Sequence, residues 1–433
     1  MSIYERDEHE AVAAEVLQRL GNRAGLMFRN AYFDTLDRTI RIGPRGAFVI
    51  TGDIPAMWLR DSTAQLAPYL HVLDRDATMA ATVSKIVQRQ LWFITHDSYA
   101  NAFNDEANSA GHRGDVVPMS PWTWERKYEV DSLCYPLQLS YDLWRITGRS
   151  DHLAGFRSAA AVAIKTWLTE CEHEALSAYR FQRFGGPLTD TLQRDGRGPR
   201  VAPIGLTWSG FRPSDDACEL GYNIAGNAFA AIVLSYVAEI AREVFNDDDL
   251  AIQADSLSEQ LRAALAQHGS TQIDGREVYA YEVDGFGDSI FMDDANVPSL
   301  LSLPLLGWCS TEDPVYMSTR FAALSPSNPF FTAGSVATGV GSPHTPTGWV
   351  WPIGIAVQGL TANSTVERDA AFDTLLRSDG GTGRMHESFD PDDPRRFTRP
   401  WFSWANAMFC ELALEVAGLR GYRRAPLHPE VRA

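Results

Sequence analysis

The chain is short of several things that would each mark a class of protein. Cysteine is scarce, with five residues in 433: Cys134, Cys171, Cys218, Cys309 and Cys410. They are far apart, odd in number and set mostly in apolar surroundings, with no CxxC pair and no Cys/His cluster. A zinc site is therefore not expected, and buried reduced thiols in a cytoplasmic protein fit best. Positive charge is in deficit, 38 Lys and Arg against 55 Asp and Glu, for a formal net charge of −17. Such a field repels phosphate backbones and is not drawn to an anionic membrane, so neither nucleic acid nor membrane is expected as a partner. Apolar runs break well before the roughly 18 residues a bilayer span needs, so no transmembrane helix is expected. The start, MSIYERDEHEAVAAEVLQRL, lacks the basic residues, apolar stretch and small-residue cleavage site of a signal peptide. Walker A, GxGxxG after a strand, GxSxG and HExxH motifs are missing as well.

Strand-like alternation is also scarce, limited to 39–50 and 179–184, each short enough for a hairpin beside a helical body. What fills the chain instead is helical periodicity, over 9–20, 62–72, 82–95, 131–147, 155–175, 224–244, 249–266, 297–306, 313–323, 349–360, 366–377 and 403–418. Within 131–147, Leu133, Leu137, Tyr141 and Trp144 recur at three- and four-residue steps, which stacks them on one face. No Pro/Gly/Ser linker divides the chain and no unit repeats, so one all-α domain over 1–433 is expected. A dozen helices in one domain suggest a toroid of paired helices, because a solenoid would show a repeat.

The connections are long and share a composition of Gly, Pro, Trp, Arg and Asp: 51–62, 118–132, 205–222, 286–296, 341–352 and 383–406. Eight of the 12 tryptophans fall there: Trp58, Trp122, Trp124, Trp208, Trp349, Trp351, Trp401 and Trp404. Long irregular segments in a compact domain are commonly functional. Flat aromatic faces beside carboxylates and guanidinium groups suit a ligand with one apolar face and many hydroxyls, a sugar ring. The competing reading is a tight core of stacked Trp and Arg paired with Asp.

Hydrolysing a glycoside takes two carboxyl groups across the ring. Asp215 and Asp216 in RPSDDACE, after a Pro-Ser that reads as a helix start, are one source; helix capping is the alternative role. Glu387 in GRMHESFD, beyond the Gly-rich turn at 380–383, is the other, with a salt bridge to Arg384 as its alternative. DDACE also reads as a DDxxE magnesium motif for diphosphate chemistry, with NDDDL (246–250) and MDDAN (292–296) in support, but no second metal signature follows. His71, His112, His173 and His268 read as surface or satisfied residues, whereas His344 and His386 sit in the loops of interest.

Four blocks carry a stronger signal: TGDIPAMWLRDSTAQLAPYL (51–70), TWSGFRPSDDACELGYNI (207–224), SIFMDDANVPSLLSLPLLG (289–307) and MHESFDPDDPRRFTRPWFSWANAMF (385–409). They resemble glycoside hydrolase family 125. The resemblance implies an (α/α)6 barrel with long active-site loops and minor β-hairpins, and a metal-independent, cofactor-free exo-α-1,6-mannosidase acting by inversion. It implies Glu387 as general base and Asp215 as general acid, with Asp216 the alternative. Trp58, Arg60, Asp61, Trp208, Arg212, His344, His386, Arg399 and Trp401 are then candidate contacts to an α-mannoside glycan in a monomeric enzyme. One departure is GYNIAGNAF, where a proline is expected near Ala225. The rival readings are an (α/α)6 glycosidase for another sugar and a non-catalytic carbohydrate-binding relative.

Overall fold

In the computed structural model, which describes residues 2–422, helix accounts for 49% and strand for 10%. Eleven longer helices carry the fold: α1 (Arg6–Asp34), α2 (Leu59–Ala64), α3 (Ala77–His96), α4 (Val130–Thr147), α5 (Phe156–Cys171), α6 (Ile224–Ile240), α7 (Asp248–His268), α8 (Pro314–Ala323), α9 (Pro352–Leu360), α10 (Thr365–Arg377) and α11 (Ser403–Val416). Five of the eleven begin on a side-chain cap. Asp76, Asn223, Asp247, Asp313 and Ser364 accept hydrogen bonds from the first free amides of α3, α6, α7, α8 and α10. Gly148 closes α4 in the left-handed conformation. Asn223 supplies the helix start for which a proline was expected near Ala225.

The helices form an inner and an outer ring. α2, α4, α6, the short turn Leu303–Leu306, α9 and α11 are inner; α1, α3, α5, α7, α8 and α10 pack outside them. α2 meets α4, α4 meets α6, α9 meets α11, and α11 returns to α2. This is the (α/α)6 barrel expected from the sequence. The two rings differ as their positions require. In α6, 15 of 17 residues are buried, so the helix is apolar all round, whereas α7 buries a single stripe from Leu250 to Leu265. Ile224–Phe245 is long and apolar enough to cross a bilayer, contrary to the reading of the apolar runs, but 89% of its most apolar window lies inside the barrel.

The segment 40–49 forms the expected hairpin, Ile40–Gly43 against Gly46–Val49. At 179–184 there is no strand. Tyr179 stacks on Tyr99 at 5.1 Å and Arg183 is drawn to Asp115, leaving one bridge between Gln182 and Val116. A second hairpin, Ser270–Ile273 against Arg276–Tyr279, turns on Asp274-Gly275, both with positive φ. Two three-stranded sheets lie where inner helices begin. Met57–Trp58, Ala102–Phe103 and Thr123–Glu125 lead into α2; Tyr222–Asn223, Glu282–Val283 and Ser289–Ile290 lead into α6. All five cysteines are free thiols, four of them buried.

Candidate active site

The N-terminal ends of the inner helices open on a cavity of about 370 Å³. Trp58 precedes α2, and Arg60 and Asp61 lie in its first turn. Glu129 precedes α4 and Asp131 lies in its first turn. Trp351 precedes α9, and Phe402 and Trp404 flank the start of α11. Converging helix N-termini present unpaired amides and a positive field, a setting that favours carboxylates.

Asp215 and Glu387 both line this cavity, together with Trp58, Arg60, Asp61, His344 and Arg399. Asp215 does not start a helix. It sits in an irregular turn with φ of 67°, its amide donating to the Arg212 carbonyl, and the next helix begins only at Ile224. Its Oδ1 accepts from Arg60 Nη2 at 2.9 Å and from Asn101 Nδ2 at 3.3 Å, and Lys127 Nζ donates to its carbonyl at 2.7 Å. Burial acts to raise the Asp215 pKa, but Arg60, a hydrogen bond with Glu129, Lys127 and His344 outweigh it and hold the carboxyl well below its usual range. Asp216 faces the other way, off the cavity. It accepts from Ser214 Oγ at 3.0 Å and lies 3.6 Å from His344 Nδ1. Burial would lower the His344 pKa, yet Asp216 overrides it and raises it to about 9.

Opposite, Arg399 holds Glu387 at 3.4 Å and Asp53 at 2.5 Å, and donates to Thr51 Oγ1 at 3.2 Å. The Gly-rich turn before Glu387 wraps Asp379, whose carboxylate accepts from the amides of Gly381 and Gly383. Gly52 cannot be replaced without moving this wall: its φ is 126°, and a Cβ there would lie 2.4 Å from the Trp401 carbonyl oxygen.

Four expected contacts lie off the cavity. Trp208 is fully buried and stacks on His173 at 3.7 Å. Arg212 is buried against Glu282 at 2.5 Å and Glu219 at 3.1 Å, pinning the turn that carries Asp215. His386 lies flat on Phe397 at 3.6 Å. Trp401 donates its indole N–H to Asp34 beneath the Arg38 guanidinium. His112, expected to be a surface or satisfied residue, is exposed and lies 3.7 Å from Glu125 at the edge of the cavity. Three loop tryptophans form cavity wall, Trp58, Trp351 and Trp404, so the loop Trp set is core as much as pocket. Reasoning from sequence also passed over Asn296, Glu125, Lys127, Arg183 and Asp190 on the wall. Glu125 and Lys127 sit in the Trp-rich loop at 118–132, which was the signal available.

The DDxxE elements do not converge. Asp215 and Asp216 point apart, and Glu219 is largely exposed and paired with Arg212. Asp293 caps the turn at Leu300 and Leu301, and Asp294 binds Asn296 and Ser342. Among the described residues no group of three or more His, Cys, Asp or Glu is arranged to hold a metal ion.

The helical toroid and its carboxylate-lined cavity define a glycoside hydrolase of the (α/α)6 class. A bacterial glucoamylase complexed with acarbose shares the fold alone, with a TM-score of 0.61 at 12% identity over 91% of this chain and 55% of that one. The family model for metal-independent α-mannosidases matches residues 22–414, and the chain belongs to that family, glycoside hydrolase family 125. A Streptococcus pneumoniae metal-independent α-mannosidase, solved as a non-productive complex with α-1,6-mannobiose, is 46% identical, with a TM-score of 0.94 over 96% of this chain and 99% of its own. The meiotically up-regulated gene 157 protein of Schizosaccharomyces pombe is 39% identical over 415 residues, 90% of this chain and 81% of that protein.

Proposed function

We propose that the chain is an exo-acting, inverting α-1,6-mannosidase in which Asp215 is the general acid and Glu387 the general base. The observation that carries this reading is that both carboxyls enter one cavity from separate loops, each gripped by its own arginine, Arg60 and Arg399. Inversion requires a water between base and anomeric carbon, with carboxyls about 6.5–9.5 Å apart. Glu387 takes the proton of that water while Asp215 delivers one to the departing glycosidic oxygen. Asp216 does not line the cavity and lies 3.6 Å from His344 Nδ1, which favours Asp215 as the acid. A cavity of about 370 Å³ suits one terminal sugar better than a threaded chain, in keeping with exo action. The mannobiose bound by the pneumococcal relative supports the α-1,6 linkage.

Proton NMR during hydrolysis of α-1,6-mannobiose tests the reading. β-Mannose is the expected first product, and α-mannose first would overturn inversion. Glu387→Gln and Asp215→Asn are each expected to lower kcat/KM on this substrate by about 10²–10⁴-fold. An α-glucoside cleaved faster than the matching α-mannoside would overturn the sugar assignment.

A further inference from the structure

An acid must hold a proton before it can give one away, and the surroundings of Asp215 favour its ionised form. Arg60 sits at 2.9 Å from its carboxylate, and Lys127 and His344 add positive charge. Glu129, 1% exposed and absent from the cavity wall, is hydrogen-bonded to the Asp215 carboxyl, and the Arg60 guanidinium and the Asn101 amide each reach both groups. Its Oε2 is occupied by Arg60 Nη1 at 2.7 Å and Ser132 Oγ at 2.6 Å. Among the described residues its Oε1 accepts from no donor but Asn101, at 3.5 Å, and Asn101 also donates to Asp215. Two buried carboxylates in contact repel unless a proton lies between them. The other groups around the pair are Arg60 and Asp61 from α2, Asp131 from α4, Glu125 and Lys127 from the loop before α4, and His344 from the facing loop. Arg183 pairs with Glu125 and Asp190 with Lys127 at the edge of this set, and its carboxyls still outnumber its cations, which favours a retained proton.

We infer that Glu129 is a positioning residue that stores, in a hydrogen bond to Asp215, the proton used in glycosidic cleavage. This rests on Asp215 being the acid. Burial and the neighbouring carboxylates push the Glu129 pKa far up, which places the resting proton on its side of the bond. As substrate reacts, the O–H bond of Glu129 breaks and an O–H bond forms on Asp215. That bond breaks in turn as the glycosidic oxygen takes the proton together with the electron pair of the cleaved C–O bond. Water supplies the hydroxyl to carbon and its proton to Glu387. Solvent then returns one proton to the Glu129–Asp215 pair and removes one from Glu387, so the cycle balances.

The test compares α-1,6-mannobiose with dinitrophenyl α-mannoside, whose leaving group needs no proton. Asp215→Asn checks the underlying reading: it should lose the disaccharide and keep the aryl substrate, and if it keeps both, Asp215 is not the acid. Glu129→Gln preserves shape but holds no proton to share. It should lower kcat/KM on mannobiose at neutral pH by about 10²-fold, leave the aryl substrate within about threefold, and move the alkaline limb of the mannobiose profile to lower pH. Ser132→Ala, a gentler change, removes a donor that favours ionised Glu129. It should move the same limb up by about one pH unit, the worth of one hydrogen bond to a charged group. Equal losses on both substrates in Glu129→Gln, or a limb that stays in place in Ser132→Ala, would overturn the inference while leaving Asp215 as the acid.

Discussion

Asp61 offers a test of how this cavity trades stability for chemistry. Its carboxyl is 6% exposed and faces the cavity from the first turn of α2. Burial drives its pKa up, Arg60 at 3.8 Å draws it back, and Asp215 pushes it up again, for a net rise from 3.8 to about 6. A difference of about two units is worth about 3 kcal/mol. The sign follows from proton binding. Between pH about 4 and 6 the folded chain holds this proton and the unfolded chain does not, so stability falls as pH rises through that window. The cost is absent below pH about 4 and complete above about 7. Asparagine keeps the shape without the charge. Asp61→Asn should therefore match wild type at pH about 4 and exceed it at pH about 7.5 by up to about 3 kcal/mol. For 433 residues the unfolding entropy is on the order of 0.9 kcal/mol/K, so the gain is about 3 °C in Tm. Activity on mannobiose should fall at least about tenfold, the familiar exchange of stability for function. Calorimetry at the two pH values decides the matter. A Tm at pH about 7.5 equal to or below wild type, or the same gain at both pH values, would refute the reasoning.

The other predictions concern groups with separate roles. Arg399→Met removes the partner of Glu387 and Asp53, and kcat/KM should drop by about 10²-fold in steady-state assays. Asp216→Asn should bring the His344 titration, followed by NMR, from about 9 back toward 6.5. Because that pKa is raised, the stability it lends is full below pH 6.5 and disappears as pH climbs through 9, and the variant should lack this alkaline decline in Tm. Trp208→Ala should cost about 3–5 kcal/mol in denaturant unfolding and leave KM unchanged, since the ring packs on His173 away from the cavity. A chelator should leave turnover unaltered, in keeping with a metal-independent family; loss of activity restored by a divalent ion would contradict this.

Helix positions were legible because the two rings impose different burial patterns on the sequence. α4 carries Leu133, Leu137 and Tyr141 at helical spacing, though every residue from Val130 to Leu143 is buried, and α6 shows an apolar stretch with an asparagine at its start. The long loops were legible too, through composition. What the loops do with their aromatic rings was not. Trp58 and Trp208 occupy similar strings of residues, yet one lines the cavity and the other fills the core, because a distant partner, His173, decides the second case. Arg212 and Arg60 are alike in the same way. Each is a buried arginine, but Arg60 reaches Asp215 from α2, whereas Arg212 is claimed by Glu282 from another sheet. The pattern along one segment cannot specify pairings 70 residues apart, and Arg60 with Glu129 and Asp131, or Arg212 with Glu282, are pairings of that kind.

The neighbouring aspartates show how local backbone geometry resolves what composition leaves open. Arg212 N–H donates to the Asp216 carbonyl and Asp215 N–H to the Arg212 carbonyl, closing a tight turn, and Asp215 takes a φ of 67° inside it. One left-handed residue reverses the direction in which successive side chains leave the chain, so Asp215 meets Arg60 while Asp216 meets His344. Aspartate and asparagine tolerate this conformation better than most residues, whereas alanine is strained by about 1–2 kcal/mol. Asp215→Asn thus removes the acid and keeps the turn, and Asp215→Ala removes both. If the turn matters to catalysis only through aiming this carboxyl, the two variants should be equally inactive on mannobiose; both lose the ion pair with Arg60, and Asp215→Ala should melt about 1–2 °C below Asp215→Asn. An Asp215→Asn enzyme as destabilised as Asp215→Ala would mean that the charge bound to Arg60, and not the backbone conformation, holds the turn together.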